Sequence, residues 1–162
     1  MTATEIIVQQ DKLIRKECFT TMTIGFYPLV GDILHTGHVI AIEEAKANCD
    51  YLIVGLNCTP DGKQPVQSVY ERFMQLRAVK FIDEIIPYAG KSDLELLASS
   101  LQYQIRFLGE DYLEKDWDGK QIETELEKRP YFLKRRHPMS STALKDKILE
   151  KNRNIDNSQC NP

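Results

Sequence analysis

His35-Thr36-Gly37-His38 decides the reading of this chain, because an apolar run ends just before it and an amphipathic one begins within it. Upstream, Met22-Thr23-Ile24-Gly25-Phe26 reads as a buried strand. Downstream, Val39, Ile42, Ala45 and Cys49 recur at helical spacing, so a helix is predicted to start at or near Gly37. The tetrapeptide therefore occupies a strand-to-helix turn. Amide N–H groups in the first turn of a helix lack intrahelical partners, and the helix dipole there favours negative charge. Gly37 has no Cβ to keep a phosphate from the main chain. His35 and His38 stand three apart, near enough in such a turn to meet one anion together. These are the parts that phosphate chemistry needs.

The remainder of the chain bounds that reading. Its 162 residues suit one domain with a full core, and 42% hydrophobic with 28% charged residues is ordinary for a soluble globular protein. A formal net charge of −3 gives no basis for nonspecific nucleic-acid binding. Cys18, Cys49, Cys58 and Cys160 show no CxxC spacing, which points to free thiols and a cytoplasmic location. No apolar run is long enough to span a membrane, and the first residues do not resemble a signal peptide.

In chain order, residues 1–19 read as an N-terminal arm, 20–151 as the domain and 152–162 as a disordered tail without apolar periodicity. The first strand is expected over Thr21–Phe26, with Tyr27–Gly31 as a loop. Asp50–Leu56 is a continuous apolar run, the mark of a strand buried on both faces of a parallel sheet. Asn57–Gln67 is a loop carrying Lys63, and Ser68-Val69-Tyr70-Glu71 is a capping box that opens a helix. A short strand around Glu84–Ile86, ended by Pro87, precedes a second capping box at Ser92–Glu95. Ile105–Gly109 and Tyr131–Leu133 are the fourth and fifth strands, and a last helix begins at Ser140–Thr142. The alternation predicts a single α/β domain, doubly wound around a mainly parallel five-stranded sheet, with ligands beyond the C-terminal ends of the strands.

Asp32-Ile33-Leu34-His35-Thr36-Gly37-His38 resembles the signature of the cytidylyltransferase branch of the nucleotidyltransferase superfamily, with the closest likeness to small glycerol-3-phosphate cytidylyltransferases. Arg72, eleven residues before Asp83 in Phe81-Ile82-Asp83-Glu84-Ile85-Ile86-Pro87, resembles the family's arginine helix and its "VDEVIP"-like strand. Leu108-Gly109-Glu110-Asp111-Tyr112 resembles the stretch that frames the nucleotide, and Arg135–Thr142 the closing "RTxGISTT" motif. Gly25 and Asp32 are seven apart where the family has three, so Tyr27-Pro28-Leu29-Val30 reads as an inserted loop beside the acceptor pocket.

The resemblance implies a Rossmann-like nucleotidyltransferase fold, and an enzyme that transfers CMP from CTP to a small phosphorylated alcohol, glycerol 3-phosphate by default, releasing pyrophosphate. It further implies Mg2+ on the CTP and a homodimer. His35 and His38 would grip the phosphates and stabilise charge on the α-phosphate, with Lys63 and Arg135 approaching from their loops. Ser140, Ser141 and Thr142 would supply hydroxyls and amides at a second helix start. Asp32, Glu110 and Asp111 would accept from a metal, ribose or base amino group, with Gly25, Phe26, Gly37, Arg72 and Gly109 completing the nucleotide site.

The alternatives are an adenylyltransferase of the same superfamily, or a catalytically weak nucleotide-binding module. The second is suggested by Asp61 standing where the family often has a lysine, and by Lys80 standing for an arginine. Arg72 reads equally as a structural residue, His137 as loop surface and Trp117 as a loop anchor. Metal ligation by the two histidines and a cysteine finds no ligand spacing to support it.

Overall fold

The computed structural model describes residues 22–62, 64–135 and 138–159, the last six by their backbone alone. Lys63, Arg136, His137 and the N-terminal arm therefore lie outside the described residues. Five strands, β1 (Ile24–Leu29), β2 (Tyr51–Asn57), β3 (Glu84–Tyr88), β4 (Ile105–Gly109) and β5 (Arg129–Leu133), form one sheet in the order β3-β2-β1-β4-β5. Every pairing is parallel. Between the strands run α1 (Thr36–Ala47), α2 (Val69–Arg77), α3 (Gly90–Ser100) and the short α4 (Lys120–Glu125), and α5 (Ser141–Gln159) closes the chain.

Helices cover both faces. On one, Ile42 and Ala45 of α1 and Leu76 of α2 pack with Leu52, Val54, Leu56, Ile105, Phe107 and Leu133. On the other, Leu94 of α3 joins Ile24, Phe26, Ile53, Tyr88 and Tyr103. Burial on both sides explains why β2 reads as an unbroken apolar run. The fold is the doubly wound α/β architecture expected, and its strand order reverses beside β1.

The sequence reading is corrected at four places. β1 continues to Leu29, so Tyr27 and Pro28 are strand residues and not an inserted loop. Pro28 is tolerated because β4 pairs with β1 only at Gly25 and Phe26, leaving a neighbour on the β2 side alone beyond that point. Pro87 lies inside β3 rather than ending it, because β3 is an edge strand. α3 starts two residues before the expected capping box, at Gly90, where the Asp93 carboxylate accepts from the Ala89 amide. Finally, α5 extends to Gln159 through most of the stretch expected to be a tail. The capping box at Ser68–Glu71 forms as expected, with both reciprocal bonds present.

Candidate functional site

β1 delivers the chain to the C-terminal edge of the sheet, and α1 begins there with His35 as its N-cap. The His35 Nδ1 accepts the Gly37 amide at 3.0 Å. A nitrogen that accepts carries no proton, so in the neutral ring the hydrogen resides on Nε2, which becomes a donor. The His35 and His38 rings stack, with centroids 4.0 Å apart and planes inclined by 29°. The amides of His38 and Val39 both donate to the His35 carbonyl. With Gly37 also engaged, the helix start is less bare than expected.

The turn before His35 is strained and heavily braced. Gly31 has φ 68° and Ile33 φ 50°; the left-handed region suits glycine but is an outlier for a β-branched residue. Side-chain carbonyls from elsewhere hold this turn. Gln67 accepts from the Ile33 amide at 2.7 Å and Gln75 from the Leu34 amide at 3.3 Å.

Asp32 is buried, and its groups are committed within the protein. Its Oδ1 accepts from the Gln67 amide at 3.1 Å and its Oδ2 pairs with Lys145 Nζ at 2.8 Å, while its carbonyl accepts from Ser141 Oγ at 2.7 Å. Burial pushes its carboxyl up. The lysine and the amides of Gln67 and Val66 outweigh that and hold it below the usual carboxylate value. Asp32, expected to accept from a metal, ribose or base amino group, thus has both carboxylate oxygens and its carbonyl engaged within the protein.

Arg72 is likewise bonded within the protein. It is 1% exposed, and its Nη1 donates at 2.7 Å to the carbonyls of both Val30 and Asn57, tying the ends of β1 and β2 together. Gly25 and Phe26, expected at the nucleotide, lie mid-strand in the core. A Cβ on Gly25 would stand 2.3 Å from Phe107, and Phe26 is fully buried. The longer β1 accounts for this, since the strand ends three residues past Phe26. Asp83 serves the opposite end of the sheet, accepting from Lys46 Nζ at 2.6 Å and the Leu52 amide at 2.7 Å.

Gly109 ends β4, and Glu110 and Asp111 follow in a 3-10 turn, Asp111 exposed and Glu110 half-buried. Tyr27 was not singled out from sequence. Burial pushes its hydroxyl up to about 12, with the negative charge of Asp111 adding to the effect, which places the end of β1 beside the turn after β4. Ser140 caps α5 by accepting from the Ala143 amide at 3.1 Å, Thr142 is exposed, and Arg135 is exposed beyond β5. The structure therefore joins the first and last signatures through Asp32 and Ser141. No group of three or more His, Cys, Asp or Glu among the described residues could hold a metal ion. None of the described helices is long and apolar enough to cross a membrane. Trp117 is the anchor expected, donating from Nε1 to Glu123 at 2.8 Å, in a buried group where Glu123 also pairs with Arg106 at 2.9 Å.

A family model described as cytidylyltransferase-like matches residues 31–154, which is most of the chain. The chain belongs to the cytidylyltransferase-like family. Among curated relatives, the bifunctional protein HldE of Campylobacter jejuni subsp. doylei is 36% identical over 102 residues, covering 59% of this chain and 22% of its own. HldE of Hyphomonas neptunium is 33% identical over 107 residues, covering 62% and 22%. This cytidylyltransferase-like chain thus spans about a fifth of the length of the curated relatives it matches. Among solved structures, the lipopolysaccharide core biosynthesis protein of Thermoplasma volcanium aligns with a TM-score of 0.57 at 22% identity, over 70% of this chain and 95% of that one. The likeness establishes a shared fold.

Proposed function

We propose that this member of the nucleotidyltransferase superfamily moves a nucleoside monophosphate from a nucleoside triphosphate to a small phosphorylated polyol or sugar, releasing pyrophosphate. The observation that carries the reading is the stacked histidine pair at the start of α1, where the strand order reverses. A phosphomonoester oxygen of the acceptor attacks the α-phosphorus. The bond from that phosphorus to the bridging oxygen breaks, and pyrophosphate, made of the β- and γ-phosphates, departs opposite the attacking oxygen. Such a transfer needs positioning and charge neutralisation more than covalent help. His35 Nε2 and His38 are the donors we assign to the charge gathering on the α-phosphate. Lys63 and Arg135 are assigned to the leaving pyrophosphate. Mg2+ would enter on the triphosphate and share its charge, with Glu110 and Asp111 as the carboxylates available after β4.

The relatives reported above are HldE proteins and not glycerol-3-phosphate cytidylyltransferases. That favours the adenylyl form of the reaction, with ATP as donor, over CTP and glycerol 3-phosphate. The test is pyrophosphate release with ATP or CTP and Mg2+ across a panel of phosphorylated polyols, amino alcohols and sugars. At least tenfold higher kcat/KM with ATP is expected. A preference for CTP would restore the cytidylyl reading, and no turnover with any acceptor would favour a nucleotide-binding module. A homodimer is part of the same proposal, read by sedimentation of the full chain.

A further inference from the structure

Ser141 and Lys145 stand four apart on one face of α5, and both address Asp32, one at its carbonyl and the other at its carboxylate. The Asp32 side chain is buried at 7% exposure, and Lys145 reaches it from a half-buried position at 34%. Asp32 also binds the Gln67 amide, and Gln67 in turn holds the amide of Ile33, the residue forced to φ 50°. Two residues further on, His35 caps α1 through its own ring. One chain of contacts therefore runs from α5 through Asp32 and the strained turn to the imidazole that faces the reaction.

We propose that Asp32 and Lys145 are a positioning pair: their half-buried ion pair locks α5 onto the turn before His35 and so sets where the two imidazoles point. This rests on the nucleotidyltransferase reading for its kinetic consequence, not for its structural one. Asp32 then contributes to turnover without touching nucleotide or metal. Displacing a reacting group by about 1 Å can cost on the order of a hundredfold in rate, so small slippage of this turn is enough to matter.

The test compares Asp32→Asn, Lys145→Met, the double variant and Lys145→Arg in the full chain. In pyrophosphate release, each single variant is expected to lose about tenfold or more in kcat, as misplacement of a group acting in the transition state requires. Nucleotide affinity by calorimetry stays within about twofold, since no ligand contact has gone. The double variant is no worse than either single one, the signature of residues acting through one contact. Lys145→Arg restores most of the rate, which a variant that merely fails to fold would not do. Unchanged kcat in Lys145→Met, or losses that multiply in the double variant, would overturn the pairing. A nucleotide affinity that collapses in Asp32→Asn alone would make Asp32 a ligand instead. The imidazole signals of His35 and His38 in proton–carbon spectra give a readout independent of turnover. They shift in Lys145→Met if the pair positions the turn, and if they stay put the proposal fails even where the protein releases no pyrophosphate from any nucleotide.

Discussion

The cap observed at His35 and the chemical role proposed for it are confounded by a single substitution and separated by a pair. Its Nδ1 caps α1 by accepting the Gly37 amide, while the rest of the ring stacks on His38 at the sheet's edge. Loss of an N-cap costs about 0.5–2 kcal/mol of stability. At roughly 2–4 °C per kcal/mol for a chain of this size, His35→Ala should lower Tm by a few degrees. Loss of a hydrogen-bond donor to developing charge costs about 2.7–4 kcal/mol in the transition state, or on the order of a hundred- to a thousandfold in kcat. The first figure cannot account for the second. A protein with about 5–15 kcal/mol of stability remains almost wholly folded after losing one or two.

His35→Asn divides the two effects. Asparagine is among the best N-cap residues, and its side-chain carbonyl can take the Gly37 amide in place of Nδ1, but it offers nothing in the place of Nε2. Its Tm should fall within about 2 °C of the wild type, corresponding to less than about 1 kcal/mol. Its kcat should fall as far as that of His35→Ala. The assay is pyrophosphate release at saturating nucleotide and acceptor, beside a thermal melt by circular dichroism. If His35→Asn keeps kcat within about fivefold of wild type, the ring is a cap and nothing more, and the chemical role assigned to it is wrong.

Arg72→Met should cost about 3 kcal/mol or more in urea unfolding, because two short bonds from a charged donor to the Val30 and Asn57 carbonyls are lost; a cost under 1 kcal/mol would refute the tie between β1 and β2. Glu123→Leu should destabilise by about 3–5 kcal/mol by leaving Arg106 buried and unpaired, and adding Arg106→Met should recover most of that loss in the same denaturation experiment. Asp32 has a depressed folded-state pKa, so its contribution to stability is present above the unfolded value near 3.8 and is lost as pH falls through the lower folded one; wild type and Asp32→Asn should differ in melting at pH 6 and converge in strong acid. Ile33→Gly should stay within about 1 kcal/mol of wild type, since relief of a left-handed conformation worth about 1–3 kcal/mol offsets the lost side chain and the added chain entropy.

What the sequence revealed was what local chemistry fixes. β4 falls at Ile105–Gly109 as read, and β2 is displaced by one residue, because runs buried on two faces leave little choice of period. The start of α1 and the box at Ser68 were legible for the same reason: the capping groups lie within three residues of what they cap. β1 was cut short because proline and glycine normally punctuate strands. The pairing that tolerates Pro28 depends on where β4 stops pairing with β1, at Arg106, far along the chain. Asp32 was legible as an unusual residue but not as a strut. Its partner Lys145 is 113 residues away, and neither Gln67 nor Gln75 carries any local mark of holding the turn.

The extended strand and the braced turn have one origin. β1 runs on through Leu29, and α1 must begin by Thr36 with its N-terminus at the edge of the sheet. Six residues therefore reverse and redirect the chain, and they do so by placing two in the left-handed region, only one of them glycine. An isoleucine held there persists only where its surroundings over-determine it. The surroundings come from the loop ahead of α2, from α2 and from α5, which between them bind Asp32, Ile33 and Leu34. On the proposed nucleotidyl-transfer reading, histidines placed by so many external contacts would be pre-organised for the charge that develops on the α-phosphate. The same contacts make the turn sensitive to substitutions in α5, which a histidine pair on an unstrained loop would not feel.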